Sequence, residues 1–150
     1  MKATIDAVRV AGTPEGPVGV LVLAAEHDGE NVLPIFIGLE EATSIAHGLD
    51  AEDIGRPLTH DLLLDVMEEL GGRVDRVVIT EIKDGTYFAD VHLETPRGDA
   101  TVDARPSDAL ALAARVNAPI EVEEEVFADG QRSEEELSEL TDIREVTEYA

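Results

Sequence analysis

Residues 74–108 read VDRVVITEIKDGTYFADVHLETPRGDATVDARPSD, and this stretch decides the fold class. Val74 to Ile82 and Thr86 to Glu94 are rich in strand-forming residues and flank Asp84–Gly85, a pair suited to the positive φ angles of a type I′ hairpin turn. Pro96–Arg97–Gly98 turns the chain into a further strand, Ala100 to Ala104. After Arg105–Pro106–Ser107–Asp108 the apolar period changes from two to 3.6. Leu110, Ala113, Ala114 and Val116 fall on one helical face, with Ser107 as the expected cap. Three strands running into a helix specify a sheet covered by helices.

The residues upstream are read by the same signals. Residues 2–10 suit a half-buried strand, and Gly12 to Pro17 a loop. Val18 to Ala25 is almost wholly apolar, as in a strand covered on both faces. A reversal at His27–Asp28–Gly29–Glu30–Asn31 leads to a third strand, Val32 to Ile37, which Pro34 places at an edge or a bulge. Leu39, Ala42, Ile45, Ala46 and Leu49 then share one helical face, and Asp50 to Arg56 is a polar connector. A second helix is expected to start with Thr59 as N-cap, to bury Leu62, Leu63, Val66, Met67 and Leu70, and to stop at Gly71–Gly72. Ala118 to Val122 is extended. The sequence thus predicts an α+β fold, with a mixed sheet of six to seven strands and three packed helices in a single compact domain over residues 1–126. Residues 127–150 are expected to be a loosely docked acidic tail. From Glu121 to Ala150 there are twelve acidic and two basic residues, and Ser133 with Glu136 suits the capping box of one short helix.

Composition narrows the functional classes. At 150 residues the chain fits one domain, and 43% hydrophobic residues supply a core. The absence of cysteine removes disulfides, thiolate nucleophiles and thiolate-bound zinc. No apolar run approaches the roughly 20 residues of a membrane span, and Met1–Lys2–Ala3–Thr4 enters a strand without a signal-peptide pattern. A cytoplasmic location away from membranes is therefore expected. The net charge of −23 opposes contact with a nucleic-acid backbone. Yet nine arginines against two lysines, with only 3% aromatic residues, is a halophile-type composition. In about 1 M salt the Debye length falls to ~3 Å, and such repulsion is largely screened.

The chemistry concentrates at two helix starts, Arg56–Pro57–Leu58–Thr59–His60–Asp61 and Arg105–Pro106–Ser107–Asp108. Proline, a hydroxyl residue and an early aspartate are ordinary helix-initiating residues. The arginine before each proline is not, because it adds positive charge where the helix dipole is already positive. Two answers are open. Arg56 and Arg105 pair with Glu40, Glu41, Asp61 or Asp108, or they grip phosphate oxygens while nearby carboxylates hold a divalent cation. Asp103, Arg105, Ser107 and Asp108 lie where a strand passes into a helix. His60 is the histidine set in a polar cluster; His27, His47 and His92 lack metal-ligand spacing, and Ser107 has no local histidine. There is no P-loop and no GxGxxG. Strand alternation puts Tyr87 and Phe88 on opposite faces, so one of the pair packs in the core.

In order along the chain, Leu33–Pro34–Ile35–Phe36–Ile37–Gly38 with Glu40–Glu41, Arg56 to Leu63, Val77–Val78–Ile79 with Tyr87–Phe88–Ala89, Arg105 to Ala109, and Ala118–Pro119–Ile120 resemble the bifunctional nuclease family (BFN domain). The resemblance covers residues 1 to about 126. It implies a compact α+β domain assembled as a homo-oligomer, and a nuclease acting on DNA and RNA. Carried onto this chain, the motif residues are Glu40, Glu41, Arg56, His60, Asp61, Arg105, Ser107 and Asp108.

Two functions follow as expectations. In a metal-dependent phosphodiesterase, Glu40, Glu41, Asp103 or Asp108 would hold Mg²⁺ or Mn²⁺, His60 would move protons, and Arg56 and Arg105 would stabilise phosphoryl charge. Asp61 and Ser107 complete that candidate set. In a non-catalytic oligomeric binding protein, the same residues would form structural ion pairs.

Overall fold

The computed structural model describes residues 1–26, 29–51 and 55–146. His27–Asp28 of the expected reversal, Glu52–Asp53–Ile54 of the connector and the last four residues lie outside the described residues. The strands are β1 (Lys2–Thr13), β2 (Gly16–Ala25), β3 (Asn31–Ile37), β4 (Arg73–Lys83), β5 (Thr86–Thr95), β6 (Gly98–Ala104), β7 (Ile120–Val122), β8 (Arg132–Ser133) and β9 (Thr141–Asp142). They form one mixed sheet in the order β6-β5-β4-β7-β1-β2-β3-β8, with β9 paired to β1. The β4–β7 pairing is parallel, and β1 is antiparallel to β2, β7 and β9. The helices are α1 (Leu39–Asp50), α2 (Thr59–Glu69), α3 (Pro106–Val116), α4 (Glu124–Gly130) and α5 (Glu134–Ser138). No helix among the described residues is long and apolar enough to cross a membrane.

Local chemistry explains the best-determined elements. Asp84 and Gly85 take φ angles of 54° and 78°, and Lys83 pairs with Thr86 across them. Both φ values are positive, as a type I′ turn requires. Pro34 sits in β3 beyond the reach of β8, which pairs only Asn31 and Val32, so the missing N–H leaves no partner unmet on that edge. Tyr87 packs against the core while Phe88 faces outward. Buried Ala109 to Ala113 let α3 lie close to the sheet. Gly19 of β2 does the same for α1: a Cβ there would collide with Ala42. This close seating brings Glu41 and Ser44 of α1 toward the start of α3.

Three expectations are corrected. The described residues form nine strands, because β8 and β9 are two-residue strands too short to show a period. The described residues after 126, up to 146, are not loosely docked: Phe127, Leu137 and Ile143 are buried, β8 extends the β3 edge, and β9 pairs with Arg9 and Val10. Twelve charges describe a surface and say nothing of the apolar residues set between them. The α2 stripe is not buried. Leu62, Leu63, Val66 and Leu70 are exposed, Leu70 by 74%, and Leu64 is the side chain packed on the core. The polar bonds of His60 and Asp61 described below fix the rotation of this helix and turn its apolar face outward.

The helix caps also move. The N-cap of α2 is Leu58, with Thr59 the first helical residue, and that of α3 is Arg105, not Ser107, because Pro106 takes the first helical position there. The two Arg-Pro pairs are therefore out of register. Pro106 opens α3, whereas Pro57 stands just outside α2.

Candidate functional site

Three helix starts converge, each with an acid at the third helical position. Glu41 of α1 accepts the Gly38 N–H through Oε2 at 2.7 Å, and Asp61 of α2 accepts the Leu58 N–H through Oδ2 at 2.9 Å. Each thereby satisfies an orphan donor of its own helix. Asp108 of α3 instead binds side chains. Its Oδ2 accepts from Arg105 Nε at 2.9 Å, and its Oδ1 lies 2.9 Å from His60 Nε2. Arg105 Nη1 reaches Glu41 Oε1 at 2.8 Å. Two carboxylates thus fix the plane of one guanidinium, while Nη2 makes no hydrogen bond to the described residues. The Arg105 side chain remains 66% exposed, so that edge is open to a ligand.

Behind this outer chain lies an inner one that the sequence reading missed. Arg115, in the last turn of α3, is 7% exposed in its side chain. Its Nε donates to Asp61 Oδ1 at 2.7 Å, Nη1 to the Ser44 and Ala111 carbonyls at 3.1 and 3.0 Å, and Nη2 to Ser44 Oγ at 3.2 Å. Ser44 Oγ lies 2.8 Å from His60 Nδ1. Because arginine only donates, Ser44 accepts from Arg115 and its own hydrogen goes to His60 Nδ1. Neutral His60 therefore carries its proton on Nε2, toward Asp108, and its basic nitrogen faces Ser44. The only local signal at Arg115 was a basic residue in a last helical turn, which the dipole already explains. Its partner Asp61 lies 54 positions away.

The remaining candidates separate. His60, Asp61, Arg105, Asp108 and Glu41 belong to one network. Ser107 is buried inside the first turn of α3. Arg56 is exposed and makes no ion pair among the described residues. Glu40 is exposed on α1, and Asp103 is exposed on β6 opposite Asp90. Among the described residues no three His, Asp or Glu side chains come together as a metal-binding group. Arg105 already engages both Glu41 and Asp108, so these carboxylates do not fit a divalent cation in this arrangement.

Asp61 and Asp108 both titrate below the ordinary carboxylate value. Burial pushes Asp61 up, but the Leu58 N–H and the bond and charge of Arg115 outweigh it. Burial likewise raises Asp108, and hydrogen bonds from Arg105 and His60 outweigh it. A carboxylate with a lower pKa folded than unfolded adds stability above its unfolded value of ~3.9, which is lost as pH falls through the folded value. Asp61→Asn is therefore expected to melt below the wild type at neutral pH, with the gap closing as pH falls from about 5 toward 2. A gap independent of pH in calorimetry would contradict this account of Asp61.

The sequence profile of the bifunctional nuclease domain matches residues 21–135. An uncharacterized protein of Mycobacterium tuberculosis is 40% identical over 121 residues, an alignment covering 81% of this chain and 70% of that protein. Bifunctional nuclease 2 of Oryza sativa subsp. japonica is 31% identical over 124 residues, covering 79% of this chain and 38% of the rice protein. Bifunctional nuclease 2 of Arabidopsis thaliana is 29% identical over 121 residues, covering 77% and 36%.

Proposed function

This chain belongs to the bifunctional nuclease family, and we propose that it hydrolyses phosphodiester bonds of DNA or RNA where the starts of α2 and α3 meet. The observation that carries this reading is Asp108 shared between an imidazole and an exposed guanidinium. Arg105, held flat by Glu41 and Asp108, offers its free Nη2 edge to a phosphoryl oxygen and stabilises charge that grows in the transition state. Exposed Arg56, just ahead of α2, adds a second positive charge on the approach. His60 is held on both ring nitrogens; as a base its Nδ1 takes the Ser44 hydroxyl proton while Ser44 Oγ takes one from the attacking water, whose oxygen bonds to phosphorus as the leaving oxygen departs. Asp61 and Ser107 are supports that set the helix starts.

A bound Mg²⁺ or Mn²⁺ would supply a Lewis acid and an activated water. The four carboxylates expected to hold it do not form a ligand set here, so the steps above rest on side chains alone. The test is nuclease assay of purified protein in high salt, wild type beside Asp108→Ala and Arg105→Ala. Equal activity in all three would mark a contaminant and overturn the reading.

A second reading, a non-catalytic binding domain, is favoured by one observation: buried Arg115 ties α1, α2 and α3 together as a purely structural element would. The two readings divide at Arg105. Its exposure makes removal cheap for the fold, so a large loss of melting temperature in Arg105→Ala would support the structural reading.

We also propose that copies of the chain associate through the exposed α2 face. A specific interface needs about 800 Å² per partner, and the Leu62, Leu63, Val66 and Leu70 stripe supplies its apolar centre. Light scattering in high salt is expected to give an oligomer for the wild type and a folded monomer for Leu63→Asp with Leu70→Asp. A wild type at the monomer mass of 16.1 kDa would overturn this.

A further inference from the structure

Two surface hollows of about 510 and 400 Å³ flank the tip of the β4–β5 hairpin, and both are lined by Phe36, Gly85 and Tyr87. They adjoin at these shared residues, and we read them as the two lobes of one groove. Its near lobe contains Arg105 and Glu41 of the candidate site, and its far lobe contains Arg132 of β8. The chain has only five Phe and Tyr residues in all, and two of them line this groove between two of its nine arginines. Phe36 is 64% exposed, an apolar ring presented to solvent at the rim. Tyr87 and Arg132 line the same lobe; burial raises the Tyr87 phenol while the charge of Arg132 pulls the other way. Arg132 has no ion pair among the described residues; its Nη1 donates to the Gln131 carbonyl at 2.9 Å.

We propose that this groove binds a single nucleic-acid strand, with bases stacked on Phe36 and Tyr87 and phosphates held at Arg105 and Arg132. The proposal rests on the nuclease reading for its near end and extends it by naming the substrate class. Aromatic faces receive bases only when these are unpaired, and stacking tolerates any sequence. The net charge of −23 opposes any strand held by its phosphates alone. On so acidic a protein, phosphate contacts alone are opposed by the surrounding field, and stacking must carry much of the affinity. Asp129 and Glu136 also line the far lobe, so a phosphate there can sit only on the Arg132 side. The groove also gives the C-terminal segment a use: β8 is what places Arg132 beside β3.

The test is fluorescence anisotropy in high salt with a labelled phosphorothioate oligothymidylate of about 12 nucleotides, which resists cleavage. Phe36→Ala is expected to weaken binding about tenfold, the worth of one stacked base. Arg132→Gln is expected to lower the slope of log affinity against log salt by about 0.7, one phosphate contact. A duplex of the same length is expected to bind at least tenfold more weakly. Phe36 is exposed, so its substitution leaves the fold intact, and circular dichroism checks this. Unchanged affinity in Phe36→Ala, equal binding of duplex, or no binding by the wild type would overturn the groove. Cleavage by a wild type whose binding ignores Phe36 removes the groove and leaves the nuclease reading. Phe36-dependent binding without cleavage does the reverse.

Discussion

Asp108→Ala is expected to lower phosphodiester cleavage by about 10²- to 10⁴-fold, the range for losing a positioned proton-transfer group. Asp108 is the one acceptor common to His60 Nε2 and Arg105 Nε, so its removal frees the imidazole to rotate and leaves Arg105 to Glu41 alone. Arg105→Ala removes the phosphate donor and is expected to cost about 10²- to 10³-fold, as for loss of one preorganised charge-stabilising donor. Because the two residues act as a unit, the double variant should lose far less than the product of the single losses. The comparison belongs in high salt, where the excess of negative charge is screened and substrate approach does not limit the rate. Single-variant losses that multiply in the double variant would show independent roles and contradict a shared centre.

The largest effect on stability is expected at Arg115. Arg115→Met keeps the apolar stem but deletes four hydrogen bonds, leaving Asp61 and the Ser44 carbonyl and hydroxyl without their donor. Removing one partner of a buried ion pair costs about 3–5 kcal/mol when the other stays dry. Asp61 is partly exposed, and water will recover part of this, so about 3 kcal/mol is expected. For a chain of this size that lowers the melting midpoint by roughly 10 °C. The loss should carry an activity signature too, since Ser44 no longer receives the bond that orients its hydroxyl toward His60. A midpoint within about 1 °C of the wild type would show that the three helices are held by apolar packing alone.

Particular residues mark how far the sequence could be read. Asp84–Gly85 named its turn because positive φ is a property of those two residues. The spaced apolar residues after Gly38 located α1 by their period. The N-cap of α3 was legible in principle and misread: proline at the first helical position makes Arg105 the cap, and Ser107 follows inside the turn. The α2 stripe shows a firmer limit. A 3.6-residue period reports that a helix has an apolar side, but not whether that side meets the core or another surface. The acidic C-terminal residues misled for a related reason, because charge counts cannot register three buried side chains, Phe127, Leu137 and Ile143.

The same division runs through the candidate site. Arg105 stood out because it departs from what helix initiation alone requires, His60 because it sits in a polar cluster, and Glu41, Asp61 and Asp108 entered as carboxylates that could answer the arginine. Local energetics are written in neighbouring residues, and for that reason the sequence alone determined the seven longer strands, the hairpin turn, the approximate helix starts and the family. Only the tertiary structure decided that Asp108 serves both His60 and Arg105, that Arg115 and Ser44 complete the network, and that Arg132 joins a groove with Phe36 and Tyr87. Apart from the Arg105–Asp108 bond within one helical turn, those pairings span from 16 to 71 positions or more, and a contact between residues so separated leaves no period or spacing in the chain. It exists because the packing of three helices on one sheet brings the donors and acceptors within 3 Å or so of each other.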